Sequence, residues 1–173
     1  WDAPWADRLW TEACGKDRWR VTVDTHTEAV ARLSDETLWT VCGTERADLV
    51  HYARARLVRQ LGQRGAGTET LAQAQDVLDP NALTLGFARR FTEYKRPNPL
   101  PHDRERLARL LTDPGRPVQL IVAGKAHPQD RQGKEFIRAW AEFIQRPDVR
   151  AHVVFLEDYD IALEPTDRML LDA

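Results

Sequence analysis

The chain has 173 residues, 30% of them charged and 42% hydrophobic, with a formal net charge of -2. That suffices for one domain with a sizeable core, and no global field calls for nucleic acid or an anionic membrane, so neither is expected as a partner. No apolar run approaches a membrane span, the N-terminus lacks a signal pattern, and two unpatterned cysteines, Cys14 and Cys42, point to a reducing cytosol.

The chain begins at Trp1 rather than Met, which suggests that it was cut from something longer. Its first twenty residues hold Trp1, Trp5, Trp10 and Trp19 among Asp, Arg and Lys. Aromatic faces suit sugar rings, but buried aromatics are commoner. The preferred reading is a loop, turning at Asp2-Ala3-Pro4-Trp5, packed through its rings onto a partner surface.

Ser34 then reads as an N-cap, with Asp35 and Glu36 in the first turn of a helix. This helix is expected to run toward Gln60 with an interruption near Gly43. Val50, Ala53, Leu57 and Leu61 recur at helical spacing and face a core, while Arg54, Arg56 and Arg59 read as a solvated face. Gly62, Gly65 and Gly67 end it, and Thr68 reads as the cap of a short helix through Val77.

From Leu83 the pattern changes. Apolar runs at 83–87, 118–122 and 153–156 read as buried strands. Between them, 103–111 is helical with Leu107, Leu110 and Leu111 on one face. Residues 132–144 are helical with Phe136, Ile137, Trp140, Phe143 and Ile144 buried. Strands alternating with helices predict an α/β fold with a parallel sheet. The expected organisation is a helical segment, 1–82, leading into an incomplete Rossmann-like βαβαβ unit, 83–173.

In open parallel sheets, ligands bind beyond the carboxyl ends of the strands. The predicted strands deliver Arg89 and Arg90, then Lys125, then Glu157 and Tyr159 to that edge, with Lys95 and Arg96 close behind Arg90. Cations there want a phosphate or carboxylate, which Arg can grip with two parallel hydrogen bonds. Glu93 and Glu157 read as carboxylates that orient neighbouring cations, and His127 as a turn residue. The five His and two Cys show no metal-ligand spacing, and the common dinucleotide and nucleoside-triphosphate fingerprints are absent.

Three of these stretches resemble a known family. Arg89-Arg90-Phe-Thr-Glu93-Tyr94-Lys95-Arg96 is similar to the Arg-x-x-Glu-Tyr-Lys-Arg segment of the glycogen and α-glucan phosphorylases. Ile121-Val-Ala-Gly-Lys125-Ala-His-Pro128 resembles that family's second strand and turn, and Val154-Phe-Leu-Glu-Asp-Tyr159 its Phe-Leu-Glu-Asn-Tyr segment. The upstream Trp1-Asp-Ala-Pro-Trp5 and Trp10-Thr-Glu-Ala-Cys-Gly15 look most like the bacterial branch.

The resemblance implies the second domain of a two-domain glycosyltransferase fold (GT-B) with the active site between its domains. The implied reaction moves a glucosyl unit from an α-1,4-glucan end to inorganic phosphate, giving glucose 1-phosphate with retention. Pyridoxal phosphate is the implied cofactor, with its anchoring lysine expected beyond residue 173. By the same resemblance Arg90 and Lys95 are catalytic, Arg90 meeting the substrate phosphate. Arg89, Lys95 and Tyr159 face the cofactor, and Lys125 is a supporting cation. A cytoplasmic enzyme is implied, and a homo-oligomer of the full-length protein is allowed.

The sequence departs from the family pattern at Thr92, where animal enzymes have His, at Pro97, Pro99 and Pro101, and in the tail from Glu164. Two rival readings stand beside it. One is a nucleotide-sugar glycosyltransferase of the same fold, and the other a non-catalytic remnant that binds glucan or a partner protein through its Trp-rich start.

Overall fold

A computed structural model describes residues 4–21, 23–92 and 102–157. Helices α1 (Pro4–Cys14), α2 (Val23–Ala31), α3 (Asp35–Gln63) and α4 (Thr68–Gln75) precede strand β1 (Leu83–Ala88). Helix α5 (Arg104–Leu111), β2 (Val118–Ala123), α6 (Arg131–Ile144) and β3 (Val153–Leu156) follow. The three strands form one parallel sheet in the order β1-β2-β3, with Leu83 opposite Val118 and Leu120 opposite Val153. The α/β class and all three predicted strands are therefore observed, with each boundary within one residue of expectation.

The pleat divides the core. Leu120, Val122 and Val153 face one cluster with Phe91, Leu107, Leu111, Trp140 and Phe143. Ile121, Ala123, Val154 and Leu156 face the other, against Val50, Ala53 and Leu78. This is the period-2 alternation of strands buried on both faces. Helices α5 and α6 thus cover one face, and α3 covers the other.

The helices differ from expectation in several places. The 29-residue α3 runs through Gly43 without interruption. One interior glycine costs only about 1 kcal/mol relative to Ala, and the capped first turn and packed second half override it. Thr37 N–H donates to Ser34 Oγ at 3.1 Å, as the cap reading requires. The helix ends three residues past Gln60, where Gly65 takes φ +75°. Thr68 is the first residue of α4 rather than its cap: Gly67 holds that position and lends no side chain. That helix also stops at Gln75, short of Val77.

Two further elements differ from the sequence expectation. Leu110 is 56% exposed, and Ala108 takes its place beside Leu107 and Leu111 in the core. The expected N-terminal loop is a helix from Pro4, a residue suited to a first turn. Trp19 is 63% exposed on this chain, with the Arg18 guanidinium 4.1 Å from its ring centroid.

Polar anchors hold the link between α4 and β1. Arg54 is not merely solvated: its guanidinium donates to Val77 O and Leu78 O, both at 2.7 Å. Leu78 has φ +64°, a conformation that costs roughly 1–2 kcal/mol for a residue with a Cβ. Burial of its side chain and the bond from Leu78 N–H to Ala151 O, 2.8 Å, keep it there. Buried Gln119 accepts from Asp79 N–H at 2.7 Å and donates to Asp79 O at 2.9 Å and Thr84 Oγ1 at 2.7 Å.

Candidate functional site

The parallel sheet places three chain segments side by side at its C-terminal edge: 89–92 after β1, 124–126 after β2 and Glu157 after β3. Backbone pairing continues past the strands. Arg89 N–H donates to Ala123 O at 3.1 Å, Phe91 N–H to Lys125 O at 3.0 Å, and Gly124 N–H to Leu156 O at 3.2 Å. The main chain carrying Arg89 and Arg90 is thus held on both sides of Arg90.

Phe91 is the anchor. Its side chain is fully buried, edge-on to Phe87 at 5.8 Å and tilted against Phe155 at 5.7 Å between ring centroids. Aromatic pairs at these separations add to the stabilisation from burial itself. Two glycines make the room. A Cβ on Gly124 would overlap the Arg89 carbonyl oxygen and the Phe91 ring, and one on Gly133 would overlap the Phe91 carbonyl oxygen. Gly133 lies in the first turn of α6, where its N–H donates to the Asp130 cap at 2.8 Å. Sequence reasoning missed these roles. The available signal was a glycine just after a predicted strand, which often marks close backbone approach.

Arg89 and Arg90 are both exposed and form no ion pair among the described residues. Two uncommitted guanidiniums on a fixed backbone suit a phosphate group, including the phosphate end of pyridoxal phosphate. Lys125 is half-buried on the neighbouring segment. Thr92 Oγ1, one residue past the anchor, is buried and has no hydrogen-bond partner among the described residues. Lys95, Glu93, Arg96 and Tyr159 lie outside the described residues.

Glu157 does not orient the basic cluster. Its carboxylate pairs with Arg64, which caps the C-terminus of α3, and its carbonyl accepts a 3.5 Å bond from Arg56. Gln60 grips the same strand end from both sides, donating to Phe155 O at 3.2 Å and accepting from Glu157 N–H at 2.9 Å. A side-chain amide thus stands where a further strand would pair with the β3 edge. Arg56, Arg59, Gln60, Gln63 and Glu157 line a small open depression there. Among the described residues no group of three or more His, Cys, Asp or Glu could hold a metal ion. No described helix is long and apolar enough to cross a membrane.

Fold and edge together define a parallel α/β protein with paired arginines at the carboxyl end of its first strand. Its curated relatives sharpen that class: over most of its length the chain is homologous to glycogen and maltodextrin phosphorylases. The glycogen phosphorylase of Mycobacterium tuberculosis is 40% identical over 163 residues, covering 94% of this chain and 19% of that protein. That of Aquifex aeolicus is 38% identical over 133 residues, 77% of this chain and 19% of the relative. The maltodextrin phosphorylase of Thermococcus litoralis is 37% identical over 132 residues, 76% of this chain and 15% of the relative. The chain therefore spans between 15% and 19% of the length of these relatives. No family model matches it, and no solved structure matches it significantly.

Proposed function

We propose that this chain is a portion of an α-glucan phosphorylase, and that its sheet edge forms the phosphate-binding part of the active site. The observation that carries this reading is the pair Arg89 and Arg90, exposed and without an ion pair among the described residues, just past a parallel strand. The reaction is the one the family resemblance implies: an α-1,4-glucan end gives up a glucosyl unit to inorganic phosphate and glucose 1-phosphate leaves. The domain is then the second of a two-domain GT-B fold, with its sheet beginning near residue 83 behind the helical segment 1–82. A cytosolic site of action and, for the whole protein, a homo-oligomer complete the reading.

In this account Arg90 grips the attacking phosphate, and Lys95 adds a second cation across it. Arg89, Lys95 and Tyr159 hold the phosphate end of pyridoxal phosphate, whose lysine lies elsewhere in the longer polypeptide. When bound, that cofactor supplies an ionisable phosphate next to the substrate phosphate. Two phosphates pressed together repel, and charge redistributes as one attacks. Preorganised cations offset the repulsion and stabilise the developing charge most strongly where water is excluded. Closure of the other domain over the edge would exclude that water.

The test is Arg90→Ala in the full-length protein, assayed for glucose 1-phosphate from linear glucan and phosphate. Loss of about 2–4 kcal/mol of transition-state stabilisation is expected, the range for one removed oxyanion donor. Arg90→Lys restores part of it, because the planar two-pronged grip is missing. Unchanged phosphate kinetics in Arg90→Ala would overturn the assignment.

A further inference from the structure

We infer that Phe91 is a positioning residue that sets the aim of Arg90, with Gly124 and Gly133 as the sockets that hold it. This inference rests on the phosphate reading of Arg90 above. Arg90 itself is exposed, and nothing described holds its side chain. Its backbone sets where the side chain starts and which rotamers reach the sheet edge, and that backbone is held by pairing and by packing.

On one side Arg89 N–H and Phe91 N–H bond to Ala123 O and Lys125 O, which ties 89–91 to the extension of β2. Beneath, the Phe91 ring is wholly buried between Phe87 and Phe155. The Phe91 carbonyl rests against Gly133 of α6, and the Phe91 ring and Arg89 carbonyl rest against Gly124 on the same β2 extension, at separations that no Cβ would fit. Protein interiors are packed densely enough that shrinking the ring or filling a socket shifts the attached backbone. A guanidinium at the end of a long side chain amplifies such a shift, and two-point recognition of an anion tolerates little of it. The elements meeting at Phe91 come from all three strands and from α6, so the aim of Arg90 is coupled to the assembled sheet rather than to its own loop.

The experiment is a double-mutant cycle in the full-length protein. Phe91→Leu and Gly133→Ala are each made alone and together with Arg90→Ala, and the KM values for inorganic phosphate and for linear glucan are measured separately. If Phe91 acts through Arg90, each single variant raises the phosphate KM about tenfold and leaves the glucan KM within about twofold, and the effect falls below about twofold once Arg90 is Ala. The same increase in both backgrounds would show general structural damage and overturn the inference. So would an unchanged phosphate KM in both Phe91→Leu and Gly133→Ala when Arg90→Ala raises it. An unchanged phosphate KM in Arg90→Ala itself removes the phosphate reading and the positioning role with it. If Phe91→Leu fails to fold, Gly133→Ala alone decides among these outcomes.

Discussion

Gly124 and Arg89 touch across the sheet edge: the α-carbon of Gly124 lies so close to the Arg89 carbonyl that a Cβ would overlap the oxygen. Neither partner can withdraw freely. Gly124 N–H is bonded to Leu156 O and Arg89 N–H to Ala123 O. Gly124→Ala is therefore expected to destabilise the fold by about 1–3 kcal/mol, the range for overpacking a tight site. Urea denaturation followed by circular dichroism checks it, and an unchanged midpoint would show that the contact yields.

Thr92 presents the opposite case. Its buried hydroxyl has no partner among the described residues. A buried hydroxyl without a hydrogen bond costs free energy that a methyl group would not. Thr92→Val should leave stability unchanged or raise it by up to about 1 kcal/mol. A loss larger than that, measured in the same denaturation experiment without ligand, would show that the hydroxyl does have a partner within the protein.

Arg146 ties α5 to the end of α6. It donates to Glu105 at 2.6 Å and 3.4 Å and to Asp148 at 3.1 Å and 2.9 Å. Its hydrogen bonds hold the Asp148 carboxyl below the usual carboxylate range, and acceptance of those bonds by Asp148 and then Glu105 raises the Arg146 guanidinium further. A depressed carboxyl contributes stability above its unfolded pKa and loses it as pH falls through the folded value. Asp148→Asn should thus lower the urea midpoint at pH 7 by a small amount, because the pair is exposed. The deficit should begin to shrink as pH falls into the ordinary carboxylate range and should vanish only below the depressed folded value, where the wild-type carboxyl protonates. A deficit independent of pH would point to packing instead.

Strand β1 is the least covered of the three: Leu83 is 55% and Leu85 47% exposed, whereas β2 is buried along nearly its whole length. Its outer edge pairs with no other strand among the described residues, and such an edge with apolar side chains is a template for further strands. The 173-residue chain expressed by itself should self-associate with increasing concentration, and Leu85→Lys should shift it toward monomer. Sedimentation velocity reads this directly. A monomer at all concentrations would show that the edge is protected.

The sequence alone determined the α/β alternation, the three strands and the cations at their ends. Those features are local: period-2 burial, caps such as Ser34 and Asp103, and breakers such as Asp113-Pro114-Gly115 act within a few residues. It also carried the resemblance to the phosphorylases, because three motifs fall in order along it. Other features had to wait for the tertiary structure. The uninterrupted α3, the displacement of Leu110 by Ala108, the pairing of Glu157 with Arg64 and the grip of Gln60 on β3 depend on partners up to about a hundred residues away. The Phe91 anchor is the sharpest example. Its ring reads as one more apolar residue in a basic stretch, and Gly124 and Gly133 read as turn and helix residues. Only when parallel pairing brings the ends of β1 and β2 together, with α6 packed above them, do the missing side chains become the space that fixes Arg90.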